Sequence, residues 1–83
     1  MRVLYFAWVR ERVGAETEEI ALPQSVRTVA DLADWLARRS PGHRAAFEDR
    51  NRLRAAVDQA FAPFDASVAD AQTAAVSGRA AVP

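Results

Sequence analysis

Apolar positions come first as one block. Val3 to Val9 holds seven apolar residues in a row, five of them β-branched or aromatic, a composition that predicts a strand. Alternation sends Val3, Tyr5, Ala7 and Val9 to one face and Leu4, Phe6 and Trp8 to the other. Both faces are apolar, so the strand is expected inside a sheet, with one face on the core. The other face must be covered as well, or remain as an exposed apolar patch of the kind that marks a partner site. Residues 10–19 are charged and turn at Val13-Gly14-Ala15. Glu18 to Leu22 then alternates, with Ile20 and Leu22 on one side, until Pro23 ends the run. The two runs predict a hairpin.

From Thr28 the period changes. Thr28 reads as a helix N-cap with Asp31 as the third helical residue, a capping box. Val29, Leu32, Ala33 and Leu36 recur on one helical face, Trp35 lies at its edge, and Ser40-Pro41-Gly42 stops the helix. His43 to Arg50 suggests a short second helix anchored by Ala46 and Phe47. Leu53 to Val57 alternates as a third strand. Asp58-Gln59 makes a tight turn, and Phe61-Ala62-Pro63-Phe64 returns at an edge, where proline is tolerated. Thr73 to Val76 is a poor strand, because its two alanines bury little.

Strand, strand, helix, short helix, strand, short strand, weak strand is the order of an α+β fold, the β-grasp (ubiquitin-like) roll. The expected form is a mixed sheet of four to five strands with one main helix on one face, and the last strand central beside the first. The expected organisation is one domain over residues 1–76 and a flexible C-terminal tail over 77–83.

Composition narrows the chemistry. Of 83 residues, 51% are apolar, but 19 of these are Ala, so the core is expected to hold one sheet and one helix. A chain of this length buries roughly 60–65% of its unfolded surface. Eleven Arg balance eleven acidic groups and Lys is absent, so there is no basic excess for nucleic acid and no amine for Schiff-base chemistry. No Cys is present, and the single apolar run is too short to span a membrane. The expectation is a soluble, cytoplasmic chain with no nucleic-acid or membrane partner, no cofactor and no metal. His43, the only histidine, has no partner within a visible motif and is read as a surface or helix-start residue. Glu18 and Glu19 fall on opposite faces of their strand and are read as solvated charge. No catalytic residue can be assembled. The candidate interface residues are Phe6 and Phe61, as an exposed patch on the open face of the sheet.

The run Val3-Leu4-Tyr5-Phe6-Ala7, followed by Val9-Arg10-Glu11 and Val13-Gly14, resembles the opening of molybdopterin synthase small subunits, which are ubiquitin-like sulfur carriers. Leu53 to Gln59, with Phe64-Asp65 and Asp70, resembles their later part. The resemblance implies a sulfur carrier whose C-terminal Gly-Gly is adenylated by a ubiquitin-activating-type enzyme and converted to a thiocarboxylate. It implies docking on the large subunit of molybdopterin synthase in a heterotetramer. The tail is threaded into that subunit and supplies the dithiolene sulfurs of molybdopterin, built on cyclic pyranopterin monophosphate.

The sequence departs from the family pattern at its C-terminus. Counted without gaps, Pro83 stands where the terminal glycine is expected; counted by motif, Val76-Ser77-Gly78 matches and Arg79 replaces the last glycine. An altered tail, a carrier trimmed after synthesis and a paralogue that has lost sulfur transfer are all consistent with this ending. A β-grasp interaction module without chemistry, or a sulfur carrier for thiamine or tungsten-cofactor synthesis, are the competing functions.

Overall fold

The computed structural model describes residues 1–78. Among these, five strands and three α-helices follow in the order β1 (Arg2–Phe6), α1 (Ala7–Val13), β2 (Thr17–Glu19), α2 (Val29–Ala37), α3 (Pro41–Phe47), β3 (Leu53–Val57), β4 (Ala60–Ala62) and β5 (Thr73–Gly78). A 3-10 turn over Arg50–Arg52 leads into β3. The strands form one mixed sheet in the order β2-β1-β5-β3-β4. β5 is central. It runs parallel to β1, with Tyr5 opposite Val76, and antiparallel to β3, with Ala55 opposite Val76. This is the β-grasp arrangement expected from the element order.

The covered face of the sheet is set by strand alternation. Val3 and Tyr5 on β1, Leu53 and Ala55 on β3, and Ala74 and Val76 on β5 are all buried, in one core with Val29, Leu32, Ala33 and Leu36 of α2. α2 starts where the sequence places it. Asp31 N–H donates to the Thr28 hydroxyl at 3.2 Å, and Thr28 N–H donates back to the Asp31 carboxylate at 3.3 Å. This reciprocal box satisfies two of the donors that every helix start leaves open.

Three expectations are corrected. The first strand ends at Phe6, and Ala7-Trp8-Val9 is the first turn of α1. Ala7 takes a left-handed φ of 56°, which breaks the strand. Val9, expected on a strand face, enters the core from the helix with no exposure. The second strand is shorter than Glu18–Leu22: β2 stops at Glu19, although Ile20 is buried just beyond it. The last strand, expected to be weak and to end at Val76, runs on through Ser77 and Gly78. Two alanines supply little side-chain burial, but a central strand forms backbone ladders on both edges, and those hold it regardless of side-chain size. The rest of the expected tail, 79–83, lies outside the described residues.

The β3–β4 hairpin turns on Asp58 (φ 48°) and Gln59 (φ 72°), the double left-handed geometry of a type I′ turn. Gln59 is exposed and carries a Cβ where glycine is preferred. Gln59→Gly is expected to raise stability by about 0.5–1 kcal/mol, the left-handed penalty less the extra entropy glycine loses. A urea titration would show a higher midpoint at unchanged slope.

Candidate functional site

The covered face of the sheet is filled, so the open face is where a partner can dock. Residues paired across a ladder point to the same side, so the registers define rows on that face. Leu4 on β1 stands opposite Ala75, Ala75 opposite Ala56, and Ala56 opposite Phe61. This row crosses four strands and is apolar throughout. In the next row, Phe6 stands opposite Ser77, and Ser77 opposite Arg54. Leu4, Ala56 and Ala75 are half-buried, whereas Phe6 is 47% and Phe61 73% exposed, the two large apolar side chains most open to solvent.

Phe6 and Phe61 therefore share one face, three strand spacings and one row apart, about 16 Å in all, with small side chains between them. The result is a shallow apolar floor with an aromatic ring at either side. The Arg54 guanidinium lies 5.9 Å from the Phe61 ring centroid, a cation–π contact that steadies an otherwise free ring. Trp8, which the alternation pattern places on this face, is not there. It sits on α1, on the covered side of the sheet beside Gly78.

A second group of functional side chains was not legible in the sequence. His43 does stand at a helix start, in the first turn of α3, but it is only 6% exposed. The surface half of that reading is corrected. Its Nε2 lies 2.6 Å from Glu18 and its Nδ1 2.7 Å from the Ser40 hydroxyl. A carboxylate only accepts, so the ring donates to Glu18 through Nε2. Glu18 also accepts from the Tyr5 hydroxyl at 2.7 Å and from Arg39 at 3.5 Å. The reading of Glu18 as solvated charge is thus also corrected, while Glu19 does reach solvent and pairs with Arg2.

Burial pushes the Glu18 carboxyl up, but hydrogen bonds from His43 and Tyr5 and the charge of Arg39 outweigh it and hold the group below the ordinary range. Burial, and then the adjacent carboxylate, push the Tyr5 phenol up. Serine, histidine and carboxylate in line invite comparison with a hydrolytic triad. Here the Ser40 hydroxyl is committed to capping α3, accepting from His43 N–H at 3.1 Å. The chain of contacts ties β2, β1, α3 and the turn between α2 and α3 together and acts as a brace. No local pattern could have revealed it, since Glu18 and His43 stand 25 residues apart.

Gly78, which the motif count aligns with a family glycine, pairs with Leu53 inside the sheet and is a strand residue. Among the described residues no cluster of three potential ligands could hold a metal ion. No helix among them is long and apolar enough to cross a membrane.

Comparison with known proteins agrees with this architecture. The molybdopterin synthase sulfur carrier subunit of Escherichia coli (strain K12) is 39% identical over 70 residues, covering 84% of this chain and 83% of that protein. The solved structure of a putative molybdopterin converting factor, subunit 1, from Pyrococcus furiosus superimposes with a TM-score of 0.74 at 28% identity, covering 95% of each chain. The ThiS family model matches residues 3–76, from the start of β1 to the middle of β5. The chain belongs to the ThiS family.

Proposed function

We propose that this protein is the small, sulfur-carrier subunit of a molybdopterin synthase, docking on the large subunit through the open face of its sheet. The observation that carries the reading is the row Leu4–Ala75–Ala56–Phe61 with Phe6 beside it. A contiguous apolar strip on a chain of zero net charge suits the desolvated centre of a protein interface. The similarity to a named sulfur carrier supplies the partner's identity. In this reading the C-terminal segment is adenylated by a ubiquitin-activating-type enzyme. It then carries sulfur as a thiocarboxylate to cyclic pyranopterin monophosphate in a heterotetramer. In this reading the domain's own residues stand outside the chemistry. Their task is to bind and to present.

One observation favours a second reading, an interaction module that binds without transferring sulfur. Gly78, which the motif count aligns with a family glycine, is engaged in β5.

Two measurements separate these readings. A pull-down with a molybdopterin synthase large subunit tests docking. Intact-mass analysis after incubation with an activating enzyme, ATP and a sulfur donor tests carriage. Capture together with a sulfur-for-oxygen mass gain supports the carrier; capture without the gain supports the module; failure of capture removes both.

A further inference from the structure

Gly78 is the last residue of β5 and faces the covered side of the sheet, in phase with buried Ala74 and Val76. It is also the one place along that strand without a side chain. A Cβ built there would stand inside the indole of Trp8, against Nε1 and the two ring carbons bonded to it. The pyrrole edge of Trp8 therefore lies directly on the backbone at position 78. Its Nε1–H is shielded from solvent and has no hydrogen-bond partner among the described residues, so none of these holds the ring by a polar contact at that edge. What holds it is packing and charge. The guanidinium of Arg52 lies 4.9 Å, and that of Arg12 5.4 Å, from the indole centroid. Neither arginine forms an ion pair among the described residues, so both are available to the aromatic face.

The route by which Trp8 reaches this point is also costly. The left-handed Ala7 (φ 56°) swings the chain out of β1 directly into α1, and so places residue 8 over the neighbouring central strand. A strained turn, an unpartnered indole N–H and a residue that must be glycine converge on the last described residue.

We infer that Trp8 is a positioning residue: its indole, backed by Arg12 and Arg52, clamps the end of β5, and glycine occupies position 78 to admit the ring. The clamp fixes the point and direction from which the C-terminal segment leaves the domain. Only that functional sense rests on the carrier reading, in which a partner must receive the segment; the clamp itself stands on the geometry.

Amide hydrogen exchange on the full chain tests it, comparing wild type with Gly78→Ala, Trp8→Ala and the double variant. Gly78→Ala is expected to speed exchange at least tenfold at the Leu53–Gly78 end of the β3–β5 ladder, leaving the Val57–Ala74 end within twofold. In a Trp35→Phe background the same change is expected to open Trp8 fluorescence to iodide quenching. Trp8→Ala loosens the same end, and adding Gly78→Ala to it is expected to change nothing further, because the clash has been removed. The inference is overturned if Gly78→Ala leaves exchange unchanged, if the two substitutions multiply, or if exchange rises evenly along the whole ladder, as loss of ordinary core packing would cause. These outcomes do not depend on sulfur transfer. A chain that fails to bind the large subunit yet shows the expected exchange pattern would remove the carrier reading and leave the clamp.

Discussion

Glu18→Ala is expected to cost about 3 kcal/mol of stability, because two largely buried donors lose a charged acceptor at once. The Tyr5 hydroxyl and His43 Nε2 both point at this carboxylate, and their residues are 1% and 6% exposed. Neither can turn to water without leaving the core. In a domain of this size, a loss of that order lowers the melting temperature by on the order of 15 °C. Thermal unfolding followed by circular dichroism would measure it. Glu18→Gln keeps an oxygen in the place of Oε1, which faces both Tyr5 and His43, and loses the charge and the Arg39 contact at Oε2, so it should cost clearly less. The contrast also has a pH signature. Because the folded-state carboxyl titrates below the ordinary glutamate value of 4.5, the folded form binds the proton more weakly than the unfolded chain. The stabilisation is therefore complete above that value and is lost as the pH falls through the folded-state value. The stability gap between wild type and Glu18→Gln should be full at pH 7 and should close in acid. A gap that stays constant down to pH 3 would rule out the carboxylate as the centre of the brace.

Phe61→Asp is expected to weaken binding to the large subunit by 100-fold or more, about 2.7 kcal/mol. Phe61 ends the apolar row on the open face and is 73% exposed, so it contributes little to the fold and much to any surface that covers it. The substitution would bring a carboxylate into a desolvated contact, where an unpaired charge is costly. It sits on the short edge strand β4, so the melting temperature should change by only a few degrees. Isothermal titration against the large subunit, with unfolding as the control, separates the two effects. Affinity within threefold of wild type would show that this face is not the docking surface. Phe6→Asp provides the second point, at the other end of the floor.

How much of this was visible in the residues depends on how local each cause is. The Thr28–Asp31 box and the four apolar positions of α2 are contained within one turn or one face, and they place the helix start correctly. β3 is bounded as its alternation predicts. The end of β1 departs from the pattern because Trp8 and Val9 favour strands by composition, whereas a left-handed Ala7 and the burial of Val9 make them helical. Tertiary packing overrides propensity there. β5 is stronger than its small side chains suggest, because its stability comes from ladders on both edges. The exposed pair Phe6 and Phe61 follows from one argument, that a single helix layer covers a single sheet face. The brace around His43 and the contact of Trp8 with Gly78 depend on residues far apart in the chain, and no spacing rule reports them.

The topology also constrains synthesis. The strand that occupies the middle of the sheet is the last of the five to leave the ribosome, and both of its neighbours need it. Until Gly78 has emerged, the nascent chain can offer only two separate hairpins, β1–β2 and β3–β4, each with a bare edge turned toward the other. Closure must wait for β5 as one late, long-range step, and in that interval the unfilled slot is open to any extended peptide that a chaperone does not keep away.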